Sequence, residues 1–220
     1  MPLGILFDID GTLMDTLDAI VASMNAALEA FRVKPLVREE IRPLIGMPVQ
    51  RQMDLLRGMQ GPVVDQITDR YYEHFMEHVE RGLPLYPEVK ETLPRLAERP
   101  ISTMTTRRLH GARRMLEVSG IAPYFKAIVG GDEVSRPKPF PDLPLFSANA
   151  LGIPPEQCVV VGDAPVDILA GRSARMWTVA AAYGYGSPSS LREAKPHVTI
   201  QRFSELPSVI EDLETRVQDR

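Results

Sequence analysis

The stretch LGILFDIDGTLMDT, residues 3–16, begins almost wholly apolar and then presents Asp8 and Asp10 with one residue between them, followed by Gly-Thr. An apolar run such as 3–7 is the pattern of a strand buried on both faces of a parallel sheet. Packing gives no reason to finish such a strand with acid, spacer, acid and a glycine turn. The two carboxylates therefore ask for a chemical explanation.

Similar runs return at ISTMT (101–105), KAIVG (126–130), CVVVG (158–162) and WTVAAA (177–182), with HVTI (197–200) as a final edge strand. Between them lie helical patterns: VKETLPRLAE (89–98), LHGARRMLEVSG (109–120) and LPLFSANALG (143–152), the last two stopping at a glycine suited to a helix C-cap. Strand alternating with helix predicts an α/β fold with a doubly wound parallel sheet. Residues between 16 and 86 break that alternation. Leu17, Ile20, Val21, Met24, Leu28 and Phe31 follow helical spacing behind Thr16, a candidate N-cap, and Val64, Ile67, Tyr71 and Phe75 form a second stripe that stops at Gly82. The expected division is an α/β core made of 1–14 and 88–220, with an all-helical cap, 15–87, inserted after the first strand. A closing helix, SELPSVIEDLETRV, has Ser204 as its candidate N-cap.

Composition narrows the function. The chain has 220 residues, 44% hydrophobic and 25% charged, with a net charge of −4. A mildly acidic protein is not expected to bind nucleic acid or an anionic membrane surface. One cysteine, Cys158, leaves neither a disulfide framework nor a cysteine-rich zinc site. His74 and His78 share a helix face and read as surface rather than metal ligands. No segment reads as a signal peptide or a membrane span, so the expected location is cytoplasmic. The expected assembly is a monomer or a homodimer.

Ligands of open parallel sheets sit beyond the carboxyl ends of the strands. There the sequence places Asp8 and Asp10, then Thr105 with Thr106 and Arg107, then Lys138 in GGDEVSRPKPFPD, then Asp163 and Asp167 in GDAPVD. Carboxylates gathered on one rim repel each other unless a cation joins them, and hard oxygen donors suit Mg²⁺. A hydroxyl, an ammonium and backbone N–H groups suit a phosphoryl group. Together these groups fit phosphoryl transfer through an aspartyl-phosphate.

DIDGT at 8–12, the strand ending in Thr105, Lys138 in KPFPD and GDAPVD at 162–167 resemble, in order, the four motifs of the haloacid dehalogenase superfamily. The helical insertion resembles the cap of its phosphoglycolate phosphatase and β-phosphoglucomutase-like branch. The resemblance implies that Asp8 is the nucleophile and a ligand of Mg²⁺. It implies that Asp10 is the acid and base, with its backbone carbonyl on the metal. Thr105 and the N–H of Thr106 would bind the phosphoryl oxygens, and Lys138 would offset negative charge. Asp163 would bind Mg²⁺, with Asp167 either a further ligand or the partner of a metal-bound water. Gly11 and Thr12 read as structural. Two residues depart from common family usage: Thr106, where asparagine is frequent, and Glu88 after Pro87, where glycine is frequent.

In the cap, IGMPVQR (45–51) links two helices and offers Gly46 and Arg51 as substrate contacts. His110, Arg113 and Arg114 read as a solvated helix face. The activity that the resemblance implies is hydrolysis of a small phosphomonoester, in the manner of phosphoglycolate phosphatase. TTR (105–107) and PLIGMPV (43–49) also look similar to the inorganic pyrophosphatases of the same branch. A sugar-phosphate mutase is a further possibility of the branch. From another class, a receiver-type signalling module also gathers Asp, Thr and Lys on one rim, but it needs neither the insertion nor the second acid.

Overall fold

The computed structural model describes residues 2–218. Five strands, all parallel, form one sheet among the described residues: β1 (Gly4–Phe7), β2 (Ile101–Thr103), β3 (Cys158–Gly162), β4 (Trp177–Ala181) and β5 (Val198–Ile200), in the order β2-β1-β3-β4-β5. The helices in chain order are α1 (Leu17–Glu29), α2 (Arg38–Ile41), α3 (Val49–Arg57), α4 (Pro62–Arg81), α5 (Val89–Thr92), α6 (Leu109–Val118), α7 (Asp142–Leu151), α8 (Pro165–Ser173), α9 (Pro188–Ala194) and α10 (Leu206–Gln218).

Alternation along each strand divides the core into two layers. Ile5 and Phe7 join Val159 and Val161, with Phe203, Leu206 and Ile210 covering that face. Leu6 and Val160 point the other way, onto Leu143, Ala148 and Leu151 of α7. Phe7 is fully buried, its ring 5.8 Å from Phe203 and 6.3 Å edge-on from Phe125. A sheet covered on both faces explains why these strands read as unbroken apolar runs.

Between β1 and β2 the chain is helical. α1 buries Leu17, Ile20, Met24 and Leu28, and α4 buries Val64, Ile67, Tyr71, Phe75 and Val79, so the two stripes read from the sequence meet in one core. The chain enters and leaves this segment side by side: Asp15 N–H donates to Pro84 O (2.9 Å) and Tyr86 N–H to Leu13 O (2.9 Å).

The structure corrects four local expectations. No strand forms at 126–130; Ala127 makes one isolated bridge to Ser102. There the Thr103 hydroxyl takes over the pairing, accepting from Val129 N–H (2.6 Å) and donating to Val129 O (2.9 Å). The helix expected over 89–98 runs only from Val89 to Thr92 and tightens into a 3₁₀ turn at Leu93–Leu96, because Pro94 lacks the N–H an α-helix needs. Thr16 precedes α1 but does not cap it with its side chain. Ser204 lies in a 3₁₀ turn before α10 and donates instead to Glu88 (2.6 Å). Glu88 itself has φ +68°, a left-handed conformation that glycine adopts at lower cost than a residue with a side chain.

Thr103→Val keeps the shape but strands both polar groups of buried Val129. Chemical denaturation should show a loss of about 2 kcal/mol of unfolding free energy, and an unchanged midpoint would refute the pairing.

Candidate active site

Strand order reverses at β1, and the crevice beyond the carboxyl ends opens there. Asp8 follows β1 directly, Thr105 lies two residues past β2, Asp163 follows β3, and Asp167 sits in the first turn of α8. Lys138 arrives on the loop before α7. All five are buried, Thr105 and Asp167 completely.

The Lys138 ammonium is the hub. It donates to Asp8 Oδ1 (2.9 Å), Asp167 Oδ1 (2.5 Å) and the carbonyl of Met104 (3.3 Å). Asp167 Oδ2 accepts from the N–H of Ala164 (3.0 Å), which fixes the acid at the start of its helix. Asp163 is held through both oxygens, Oδ1 by the Thr12 hydroxyl (2.8 Å) and Oδ2 by the N–H of Tyr185 (2.7 Å). Backbone from two loops closes around it. A Cβ added at Gly11 would stand 2.2 Å from Asp163 Oδ2, and one at Gly184 would stand 2.3 Å from Asp163 Cβ. Glycine is required at both places by this close approach.

Asp10 faces elsewhere. Arg107 grips it with two parallel bonds, Nε to Oδ2 (2.8 Å) and Nη2 to Oδ1 (2.7 Å), and the Thr16 hydroxyl donates to Oδ1 (2.5 Å). The remaining guanidinium nitrogen donates to the Tyr71 hydroxyl (2.7 Å), and the Phe75 ring lies 3.6 Å from the guanidinium carbon. Both aromatics belong to α4. Tyr185 anchors the start of α1: its hydroxyl accepts from the N–H groups of Thr16 (2.6 Å) and Leu17 (3.0 Å) and donates to Asp15 (2.9 Å). That hydroxyl supplies the cap expected from Thr16.

Burial pushes the Asp8 carboxyl from 3.8 up to about 7, with Asp167 and Asp10 adding repulsion that Lys138 only partly offsets. Asp163 is raised well above the usual carboxylate range by burial and by Asp167 and Asp8. Burial acts on Asp10 too, but the Arg107 guanidinium outweighs it and holds this acid below its ordinary value. Lys138 moves upward: its two carboxylates outweigh burial.

Asp8, Asp163 and Asp167 each bring an oxygen within 4.8 Å of the others. Around them, four acids (with Asp10) face two cationic side chains, a formal excess of two negative charges. A cluster of hard oxygen donors carrying that excess fits a divalent cation. Among the described residues no other cluster of potential metal ligands occurs, and His74 pairs with Glu77 rather than with His78.

Of the cap residues read from the sequence, Gly46 lines the small cavity beside Asp10, as does Thr106 from the β2 side. Arg51 does not reach it. Its side chain is exposed on α3 and paired with Asp54 (2.5 Å). Sequence reasoning set Arg107 on the rim without a role, read Thr16 as a cap and Tyr71 as helix core, and passed over Tyr185. The only signal for Arg107 was its place directly after the Thr-Thr pair. The Arg114 expected on a solvated face is tied to Glu80 of α4 (2.6 Å).

The comparisons with known proteins agree with this geometry. The family model described as haloacid dehalogenase-like hydrolase matches residues 5–181. The chain is 31% identical to a phosphoglycolate phosphatase of Shigella boydii, over 92% of this chain and 90% of that protein. It is 30% identical to one of Haemophilus influenzae, over 93% and 96%. A solved structure of a predicted phosphoglycolate phosphatase from Haemophilus somnus superposes with a TM-score of 0.85 at 25% identity, covering 94% of this chain and 97% of that one. The chain belongs to the haloacid dehalogenase-like hydrolase family, as a phosphoric monoester hydrolase.

Proposed function

We propose that this hydrolase acts on a small phosphorylated metabolite, phosphoglycolate before others, through an aspartyl-phosphate on Asp8, with Mg²⁺ as its metal. The observation that carries the reading is the position of Asp8 between Lys138 and the other acids, at the mouth of the strand-end crevice. The shared name of the curated relatives supports phosphoglycolate as the first substrate to try.

In this reading an Asp8 oxygen attacks phosphorus while the bond to the leaving oxygen breaks, and Asp10, which must first leave Arg107 and take up a proton from solvent, gives that proton to the leaving oxygen. Asp10 then takes a proton from water as the water oxygen attacks the same phosphorus. The bond to Asp8 breaks, and inorganic phosphate leaves. Lys138 offsets the negative charge shared by Asp8 and the phosphoryl group. The Thr105 hydroxyl and the Thr106 N–H orient the phosphoryl oxygens. Asp8, Asp163, Asp167 and the Asp10 carbonyl would hold Mg²⁺, whose contribution is electrostatic shielding between nucleophile and phosphate. Residues 15–87 serve as a cap that excludes bulk water during the reaction.

A panel of phosphorylated metabolites assayed with Mg²⁺ tests this directly. Asp8→Asn should lower turnover of the best substrate by about a thousandfold or more. Acid quenching of the parent enzyme during turnover of labelled substrate should trap phosphate on Asp8. A variant as fast as the parent removes Asp8 from the nucleophile's role.

The raised acids predict a linkage between pH and metal. An Asp8 carboxyl titrating near 7 in the folded chain, against 3.8 when free, binds its proton more tightly folded than unfolded. Its contribution to stability is full below about pH 4 and is lost as pH rises through 7. In EDTA the melting temperature should therefore fall between pH 5 and pH 8, and Mg²⁺ should recover at least about 5 °C at pH 8 and far less at pH 5. A melting temperature indifferent to Mg²⁺ at both pH values would count against the site.

A further inference from the structure

Arg107 is one side of a clamp that turnover has to open. Its guanidinium holds both oxygens of Asp10, and its third donor and its face are taken by Tyr71 and Phe75 of α4. The cavity next to this pair, lined by Asp10, Gly46, Gln52, Tyr71, Thr106 and Arg107 among others, measures about 30 Å³. The two parallel donors of the guanidinium are spent on Asp10 and are not available to a substrate anion while that grip holds.

Gln52 lines the same cavity. Gln52 is 6% exposed, its amide nitrogen donates to Met47 O (2.9 Å), and its Oε1 has no hydrogen-bond partner. Arg107 is the only cationic side chain lining the cavity, and Asp10 the only carboxylate. If the guanidinium lets go of Asp10, no other acid lining the cavity can receive it. Releasing a buried charge without a substitute partner is strongly unfavourable. An incoming anion removes that barrier, and the planar fork of a guanidinium matches a carboxylate or a phosphate in two-point geometry.

We infer that Arg107 is the specificity-determining residue of this enzyme, and that it selects substrates bearing a second anionic group, carboxylate or phosphate, beyond the phosphoryl group that is transferred. Such a substrate draws the guanidinium onto itself and frees Asp10 to reach the leaving oxygen. An ester ending in a hydroxyl or a methyl group leaves the clamp shut. The inference rests on the hydrolytic reading above and narrows its substrate class.

Two matched pairs test it with Mg²⁺ present: 2-phosphoglycolate against ethylene glycol monophosphate, and pyrophosphate against methyl phosphate. The parent enzyme should favour the doubly anionic member of at least one pair by about a hundredfold or more in kcat/KM. The preferred pair then identifies the second anion as carboxylate or phosphate. Arg107→Gln should collapse that preference to within about threefold, chiefly through a higher KM for the anionic member, and Arg107→Lys should restore part of it. Parent enzyme that hydrolyses both members of each pair equally well overturns the inference while leaving the hydrolase reading intact. A loss shared equally by all substrates in Arg107→Gln also overturns it, since Arg107 would then only position Asp10. No turnover of any of the four compounds overturns both. Where Arg107→Gln fails to fold, the partial preference of Arg107→Lys carries the comparison, and a full parental preference in it overturns the inference.

Discussion

Carboxylates packed closely without water are unstable neighbours, and the architecture of this chain is organised around keeping such a group together. Asp8, Asp163 and Asp167 are brought from two stretches of sequence to within 4.8 Å of each other, with one ammonium, Lys138, bridging two of them. Thr12 and the N–H of Tyr185 hold the third. The sheet order that reverses at β1 makes this convergence possible, because the ends of β1 and β3 are then neighbours at the mouth of one crevice. The residual negative charge is the feature that calls for a divalent cation.

Much of this was legible beforehand, for a physical reason. Strands buried on both faces must be apolar throughout, so an acid immediately past such a run, as at Asp8 and Asp163, stands out. The helical stripes of α1 and α4 were equally plain, because each buries one face. What escaped were features made by partners distant in sequence. The strand expected at 126–130 failed because one hydroxyl, that of Thr103, intercepts the bonds of its edge. Arg107 pairs with Asp10 across nearly a hundred residues and rests on two aromatics that read only as helix core. Arg51 shows the converse: a cation in a suggestive loop that turns to a neighbour on its own helix.

The helical segment is more than a roof. Tyr71 and Phe75 are core residues of α4 and also the platform for Arg107, so packing of that helix and the disposition of Asp10 are coupled. Tyr185 makes the reverse connection, because a residue following β4 fixes the first turn of α1. Core and insertion each contribute a group without which the other's polar atoms would lack partners.

Asp163 lies where Gly11 and Gly184 press backbone against its side chain from two directions. Any larger residue at either position would collide with the acid itself, so this corner of the molecule has no freedom to be rewritten. Retargeting such an enzyme to a different ester is therefore channelled away from Asp163 and toward the positions around Arg107 and α4, where Asp10 is the acid that feels the exchange. Two missing side chains thus mark the corner that such change cannot reach.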